Sequence, residues 1–351
     1  WGAGFDLEAA DARFLGERSL DHAGEHVAGA GDVNGDGLGD FLVAARFHDP
    51  TDVLTSAGKV YLFLGRPAAG WGSRFDLGDA DASFTGEAKE DYAGSAVASA
   101  GDVNGDGLDD FLVGAQHARG VANFGAAGRV YLVLGRRAAD WGRAVGLDQA
   151  DAIFLGEKAS DYVGTAVAGA GDVNGDGFDD ILVGAHANDD MGTSSGKAYL
   201  LLGRHAADWG RSFALSGADA IFYSATPGHR AGNAVAGVGD VNRDGLDDFA
   251  IGALGRPEGE GLGGQVHLIL GRRAADWGPK VDANGLDTSY HGTAITEAIG
   301  SAVVGAGDVN RDGCDDFLVS ATALETQDGA YPAGRCYLVL GRERGWHSQV
   351  A

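Results

Sequence analysis

Basic residues are scarce: 26 Lys and Arg stand against 51 Asp and Glu, a formal charge of −25. Nucleic acid and anionic membrane surfaces are both met by basic faces, so neither is an expected partner. No run of about 18 apolar residues occurs, so no direct membrane insertion is expected. Two cysteines cannot build a disulfide framework. No His-x-His or His-Glu-x-x-His pair marks a transition-metal enzyme. The chain starts at Trp1 and shows no leader, so the expectation is a mature or trimmed product without its address signal. What is plentiful is glycine, 61 of 351 residues, beside a hydrophobic fraction of 44%. That fraction is enough for a core, and the chain is expected to fold.

Repeats organise it. Asp-Val-Asn-x-Asp-Gly begins at Asp32, Asp102, Asp172, Asp240 and Asp308. The six tryptophans, Trp1, Trp71, Trp141, Trp209, Trp277 and Trp346, keep the same phase. Five units of about 70 residues therefore fill residues 1–351 as a single domain. Within each unit the apolar runs are short and bounded by Gly and Asp, which suits strands. The only helix candidates are brief stretches such as Arg-Arg-Ala-Ala-Asp-Trp. Four short strands repeated five times predict an all-β, five-bladed β-propeller with four-stranded blades. A solenoid would need atypical terminal units, and here the first and last units resemble the middle ones.

The acidic loop carries the clearest chemistry. Position 1 is Asp32, Asp102, Asp172, Asp240 or Asp308; position 3 is Asn34, Asn104, Asn174, Asn242 or Asn310. Position 5 is Asp36, Asp106, Asp176, Asp244 or Asp312; position 9 is Asp40, Asp110, Asp180, Asp248 or Asp316. Position 6 is always Gly, which permits a sharp turn. Position 7 (Leu38, Leu108, Phe178, Leu246, Cys314) would offer its backbone carbonyl while its side chain plugs the core. An all-oxygen set of this kind suits Ca²⁺, one ion per unit and five in all; Mg²⁺ prefers fewer protein ligands and more water. The loop is not an EF-hand, because position 12 is Val or Ile where that motif has Glu. Five bound ions would bring the formal charge from −25 to −15.

The unit resembles the FG-GAP repeat of the integrin α-subunit propeller and its bacterial relatives. The family's Phe-Gly corresponds to Ala23-Gly24, Ala93-Gly94, Val163-Gly164, Ala231-Gly232 and Ile299-Gly300. Its Gly-Ala-Pro corresponds to Gly114-Ala115, Gly184-Ala185 and Gly252-Ala253, without the Pro. The calcium loop lies between these landmarks, as in the family. The integrin propeller has seven blades where this chain has five units, and the chain has no Arg-Gly-Asp. The resemblance implies a calcium-bearing propeller that works as an extracellular or cell-surface adhesion module.

Alternating strands place the metal loops and Trp-Gly connections on one face. The variable loops 46–57, 116–127, 186–195, 254–264 and 322–333 lie on the other, with 17–22, 87–92, 157–162, 225–230 and 293–298. Binding residues concentrate on loops held by a rigid scaffold, so this face is the expected site for a protein or glycan ligand. Candidate contacts are Arg46, Phe47, His48, Asp91, Tyr92, His117, Phe124, His186, Asp190 and Tyr331. The tryptophans, fixed in phase, are expected as wedges between blades rather than sugar platforms. The small first strands should line the central axis.

Enzyme motifs are weak. Gly192-Thr193-Ser194-Ser195-Gly196 and Gly259-x-Gly261-x-x-Gly264 both run into strands, where their chemistry needs a helix. The expected function is non-catalytic: a calcium-stabilised, monomeric binding or adhesion module. A polysaccharide-active hydrolase or lyase on the variable face, or a structural spacer in a larger surface protein, are the alternatives. Two further expectations concern the end of the chain. Cys314 and Cys336 should be free, buried thiols, with Cys336 opposite about residue 320. The N-terminal segment should close the ring by pairing beside residues 336–340.

Overall fold

The computed structural model describes residues 7, 10–121, 125–255, 263–283, 288–292, 297–323 and 334–346. They form five consecutive antiparallel sheets. The first blade runs, from inside outward, through His26–Gly31, Asp40–Ala45, Lys59–Phe63 and Ala82–Thr85. The second uses Ala93–Gly101, Asp110–Ala115, Arg129–Val133 and Ala152–Leu155, and the third Ala166–Gly171, Asp180–Ala185, Lys197–Leu201 and Ala220–Tyr223. The fourth uses Ala231–Gly239, Asp248–Ala253, Gln265–Ile269 and Thr288–His291. The fifth contains Glu297–Gly307, Asp316–Ala323 and Arg335–Val339. In the first four blades the Ala/Gly-rich inner strand packs on the next blade's inner strand. Small side chains permit that approach: a Cβ on Gly169 would lie 3.0 Å from two carbonyl oxygens of the second blade. Among the described residues the only helical segments are 3-10 turns such as Ala138–Asp140 and Ala274–Asp276.

The Phe-x-Leu segments, whose role the sequence leaves open, supply an extra edge strand. Val145–Gly146 pairs parallel with the outer strand of the first blade, and Ser212–Ala214 with that of the second. Each therefore ties one blade's outer edge to the following unit. Trp141, Trp209 and Trp277 are wedges between blades, as expected, while Trp1 lies outside the described residues. Trp141 is buried against Phe84 of the first blade and Phe111 of the second, at ring-centroid distances of 6.1 Å each. A guanidinium lies over the indole of each of the five described tryptophans, as Arg136 does over Trp141 at 4.9 Å.

The ring does not close as expected. Phe14–Leu15 pairs parallel with Phe75–Asp76 and with no strand of the fifth blade. Its anchor is aromatic: Phe14 stacks on Phe75 at 5.2 Å and meets Phe63 edge-on at 4.9 Å. It does for the first blade what Phe84 does for the second. Among the described residues the fifth blade has no fourth strand, and Leu338 is 50% exposed where Leu62, Leu132, Leu200 and Leu268 are fully buried. Cys336 is consequently exposed rather than buried, although both thiols are free, Cys314 is buried, and Cys336 pairs in register with Ser320.

Candidate metal loops and ligand face

In each loop the position-1 carboxylate organises the turn. Asp32 accepts from the backbone N–H groups of Gly35 (2.8 Å), Asp36 (3.1 Å) and Gly37 (2.8 Å). Asp36 accepts from Leu38 N–H at 2.9 Å. Gly37 has φ +83°, a conformation costly for any residue with a Cβ. Position 9 is the buried anchor. Asp40 accepts from Val33 N–H (2.9 Å) and Gly65 N–H (2.6 Å), joining the loop to the chain leaving the third strand. Asp110, Asp180, Asp248 and Asp316 repeat both bonds.

Burial pushes the Asp110, Asp180 and Asp248 carboxyls up to about 8, and the position-1 and position-5 carboxylates of the same loop push the same way. Asp40 is raised to about 6 for the same reasons. Position 3 faces position 5: Asn242 Nδ2 donates to Asp244 and Asn310 Nδ2 to Asp312, both at 2.9 Å. In the second and third loops the buried Nδ2 of Asn104 and Asn174 has no hydrogen-bond partner. The donor set is all oxygen and carries three carboxylates per loop, which fits a hard divalent cation. Among the described residues, however, no three acidic, His or Cys side chains converge on one point. The position-1 and position-9 oxygens are turned to backbone N–H groups.

Position 7 is buried, as the sequence suggested, only in the fifth loop, at Cys314; Leu108, Phe178 and Leu246 are half-buried. Leu38 is 37% exposed. Leu108 and Phe178 instead lie across the preceding blade's loop, where a Cβ on Gly35 or Gly105 would be 2.7 Å from them. The fourth loop carries Arg243 at this place, its guanidinium lies against Gly313 of the fifth loop, where a Cβ would be 3.1 Å from it, and position 7 of that fifth loop is the smaller Cys314. Sequence reasoning also missed position 8. Asp109 accepts from Asp32 N–H at 2.7 Å, Asp179 from Asp102 at 2.8 Å, Asp247 from Asp172 at 2.9 Å and Asp315 from Asp240 at 3.1 Å. These carboxylates staple the second to fifth acidic loops each to the loop before it. The clue was present in the repeat as a recurring Asp, absent only from the first loop, where Gly39 stands.

On the opposite face the candidates separate into pins and platforms. His48 and Asp91 are buried pins, not ligand contacts. His48 Nδ1 bonds Asp21 at 2.8 Å, and Asp91 accepts from Ala88 N–H at 2.7 Å. Asp190 is held by Lys158 and Lys197. Arg46 pairs with Glu25 at 2.7 Å and covers Phe47. Phe124 and Tyr331 lie outside the described residues.

The remaining candidates join a continuous aromatic arc across three blades. His22 meets Phe47 at 4.9 Å, Phe47 meets Tyr92 at 5.2 Å, and Tyr92 meets His117 at 4.6 Å. The arc continues from His117 to Tyr162 at 5.2 Å and from Tyr162 to His186 at 6.2 Å. His22, Tyr92, Tyr162 and Arg230 occupy the same place in four units, and all have positive φ, 52°, 55°, 53° and 57°. Such backbone strain in side-chain-bearing residues clusters at functional sites. By contrast, Ser194, the central serine of the nucleophile-like pattern, leads into the strand Lys197–Leu201, where a nucleophile elbow needs a helix.

The family model of the FG-GAP repeat matches residues 23–63, 93–133, 163–201 and 231–269, four of the five units. The chain carries four FG-GAP repeats and is similar to the integrin-α-type β-propellers. Similar proteins include chicken (Gallus gallus) integrin alpha-V, 29% identical over 68% of this chain and 21% of its own length. Human integrin alpha-IIb is 34% identical over 47% of this chain and 15% of its own length. Drosophila melanogaster integrin alpha-PS2 is 30% identical over 46% and 11% respectively. The chain thus spans about a fifth or less of these relatives. Within this FG-GAP chain, each matched segment runs from just before an inner strand, through the acidic loop, to the end of a third strand.

Proposed function

We propose that this FG-GAP propeller is a non-catalytic, calcium-stabilised ligand-binding module that works outside the cytoplasm. The observation that carries the reading is the aromatic arc from His22 to His186 on the variable face, three of whose residues, His22, Tyr92 and Tyr162, have positive φ. Aromatic rings supply broad contact area at low entropic cost, which suits the ring faces of sugars and the side chains of peptides alike. The ligand is accordingly a protein or a glycan. Calcium would be held by the side chains at positions 1, 3, 5 and 9 and the carbonyl at position 7, one ion per blade. The ion supplies positive charge that offsets three neighbouring carboxylates per loop. Modest affinity is adequate, because extracellular modules operate at about 10⁻⁴–10⁻³ M.

The test is binding to glycan and extracellular-protein arrays by the wild type and by Tyr92→Ala/Tyr162→Ala. A ligand retained by the wild type and lost by the double variant, with unchanged melting, is expected. Equal binding by both would place the ligand elsewhere. The absence of any ligand would favour the spacer reading.

A further inference from the structure

The fourth blade departs from its neighbours at one buried spot. In the third blade, Glu157 accepts from Lys197 (3.1 Å) and Tyr199 (2.7 Å) at the boundary with the second blade. In the second blade, Glu87 does the same with Arg129 and Tyr131. In the fourth, the equivalents of Glu157, Lys197 and Tyr199 are Ala225, Gln265 and His267, and the equivalent of the buried Asp161 is His229. The ionic cluster has become a neutral, histidine-lined one.

His229 and His267 are 1% and 0% exposed. Their rings are 5.7 Å apart between centroids and 84° to each other. Each Nδ1 is held by a serine hydroxyl: His229 by Ser224 at 2.7 Å and His267 by Ser289 at 2.9 Å. Each Nε2 is buried without a hydrogen-bond partner. Gln265 lies near enough to act on His229 but completes no bond with that nitrogen. His291 pairs with Gln265 across the outer ladder, two residues beyond Ser289 and on the same face of the sheet, and its Nδ1 is also unpartnered. Buried imidazole nitrogens left bare are costly and call for an unseen occupant.

We propose that His229 and His267 form a site for a borderline divalent transition metal such as Zn²⁺, separate from the oxygen loops and open to His291 as a third ligand. A serine hydroxyl can donate to Nδ1 or accept from it; in the tautomer where it accepts, Nε2 is left as a lone pair, the state in which outer partners hold metal-binding histidines. Two imidazoles sharing a tetrahedral ion at metal–nitrogen distances of about 2.0–2.1 Å hold their ring centres about 5–6 Å apart, as these are. Burial keeps both rings neutral, as ligation requires. Among the described residues no three such ligands already surround one point. The two fixed imidazoles are therefore the core of the site, and His291 turns in, or water completes the shell.

The experiment titrates Co²⁺ and then Zn²⁺ into the Ca²⁺-saturated chain, following the visible Co²⁺ spectrum and bound metal. The comparison is His229→Asp/His267→Tyr, which restores the third-blade residues, together with the single variant His267→Gln. The proposal expects one equivalent of Co²⁺ with a tetrahedral-type band, displaced by Zn²⁺, and affinity at least about tenfold lower in both variants. Calcium-dependent melting should persist in each. No stoichiometric Co²⁺ on the wild type, or equal binding by folded variants, would overturn it.

Discussion

The carboxylate of Asp179 crosses a blade boundary to accept the backbone N–H of Asp102 at 2.8 Å. A Cβ on Gly101 would stand 2.0 Å from that carboxylate, and Gly101 has φ +74°. Staple and glycine are thus two halves of one joint, repeated at three other boundaries. Asp179→Ala should destabilise the fold by about 1–2 kcal/mol, in the range for a charge-assisted hydrogen bond at a part-exposed site. Gly101→Ala should cost more, through collision and backbone strain together. In the double variant the collision is gone, so its cost should fall below the sum of the singles in urea unfolding. Strict additivity would mean the two positions are not coupled.

A second expectation concerns the strained arc. Tyr162 sits at φ 53°, which disfavours side-chain-bearing residues by about 1–2 kcal/mol relative to glycine. Tyr162→Gly should leave melting unchanged or raise it, while weakening whatever ligand the arc holds. A large fall in melting temperature would show that the ring is a packing element instead.

The loop pins predict a pH effect. Burial raises the Asp91 carboxyl to about 6, above the ordinary range. A carboxyl with a raised native pKa contributes stability below its unfolded pKa of about 3.9, and that contribution disappears as pH rises through about 6. Asn at this place can still accept from Ala88 N–H without carrying charge. The melting temperature of Asp91→Asn relative to wild type should therefore be more favourable at about pH 8 than at about pH 5. A difference independent of pH would contradict the assignment.

The N-terminal strand gives a fourth. Because Phe14 packs on Phe63 and Phe75, deleting residues 1–15 should expose the first blade. Hydrogen exchange should quicken at Phe41–Phe63 and stay unchanged at Tyr337–Leu340. The reverse pattern would restore the closed ring that the sequence suggested.

That difference marks what was legible in the sequence. Blade number, strand order and wedge tryptophans follow from the repeat, because each unit meets a neighbour of the same kind. The pairing of Cys336 with Ser320 follows from local register alone. Closure does not, because Phe14 satisfies the same aromatic pattern against its own first blade as it would beside the fifth. The role of position 7 was misread because an apolar residue in a loop looks like a plug until the next loop is seen beneath it. His48 and Asp91 looked like surface ligands because residue type does not reveal burial. The pairing of His229 with His267 was invisible, since 38 residues and a blade boundary separate them in the chain.

The central claim is that the acidic loops hold calcium, and native mass spectrometry joined to a thermal melt tests it most directly. The account predicts about five Ca²⁺ per chain, and a fall of many degrees in melting temperature when excess chelator removes metal that only the folded state binds. Fewer than one Ca²⁺ per chain, with melting unchanged by chelator, would contradict it.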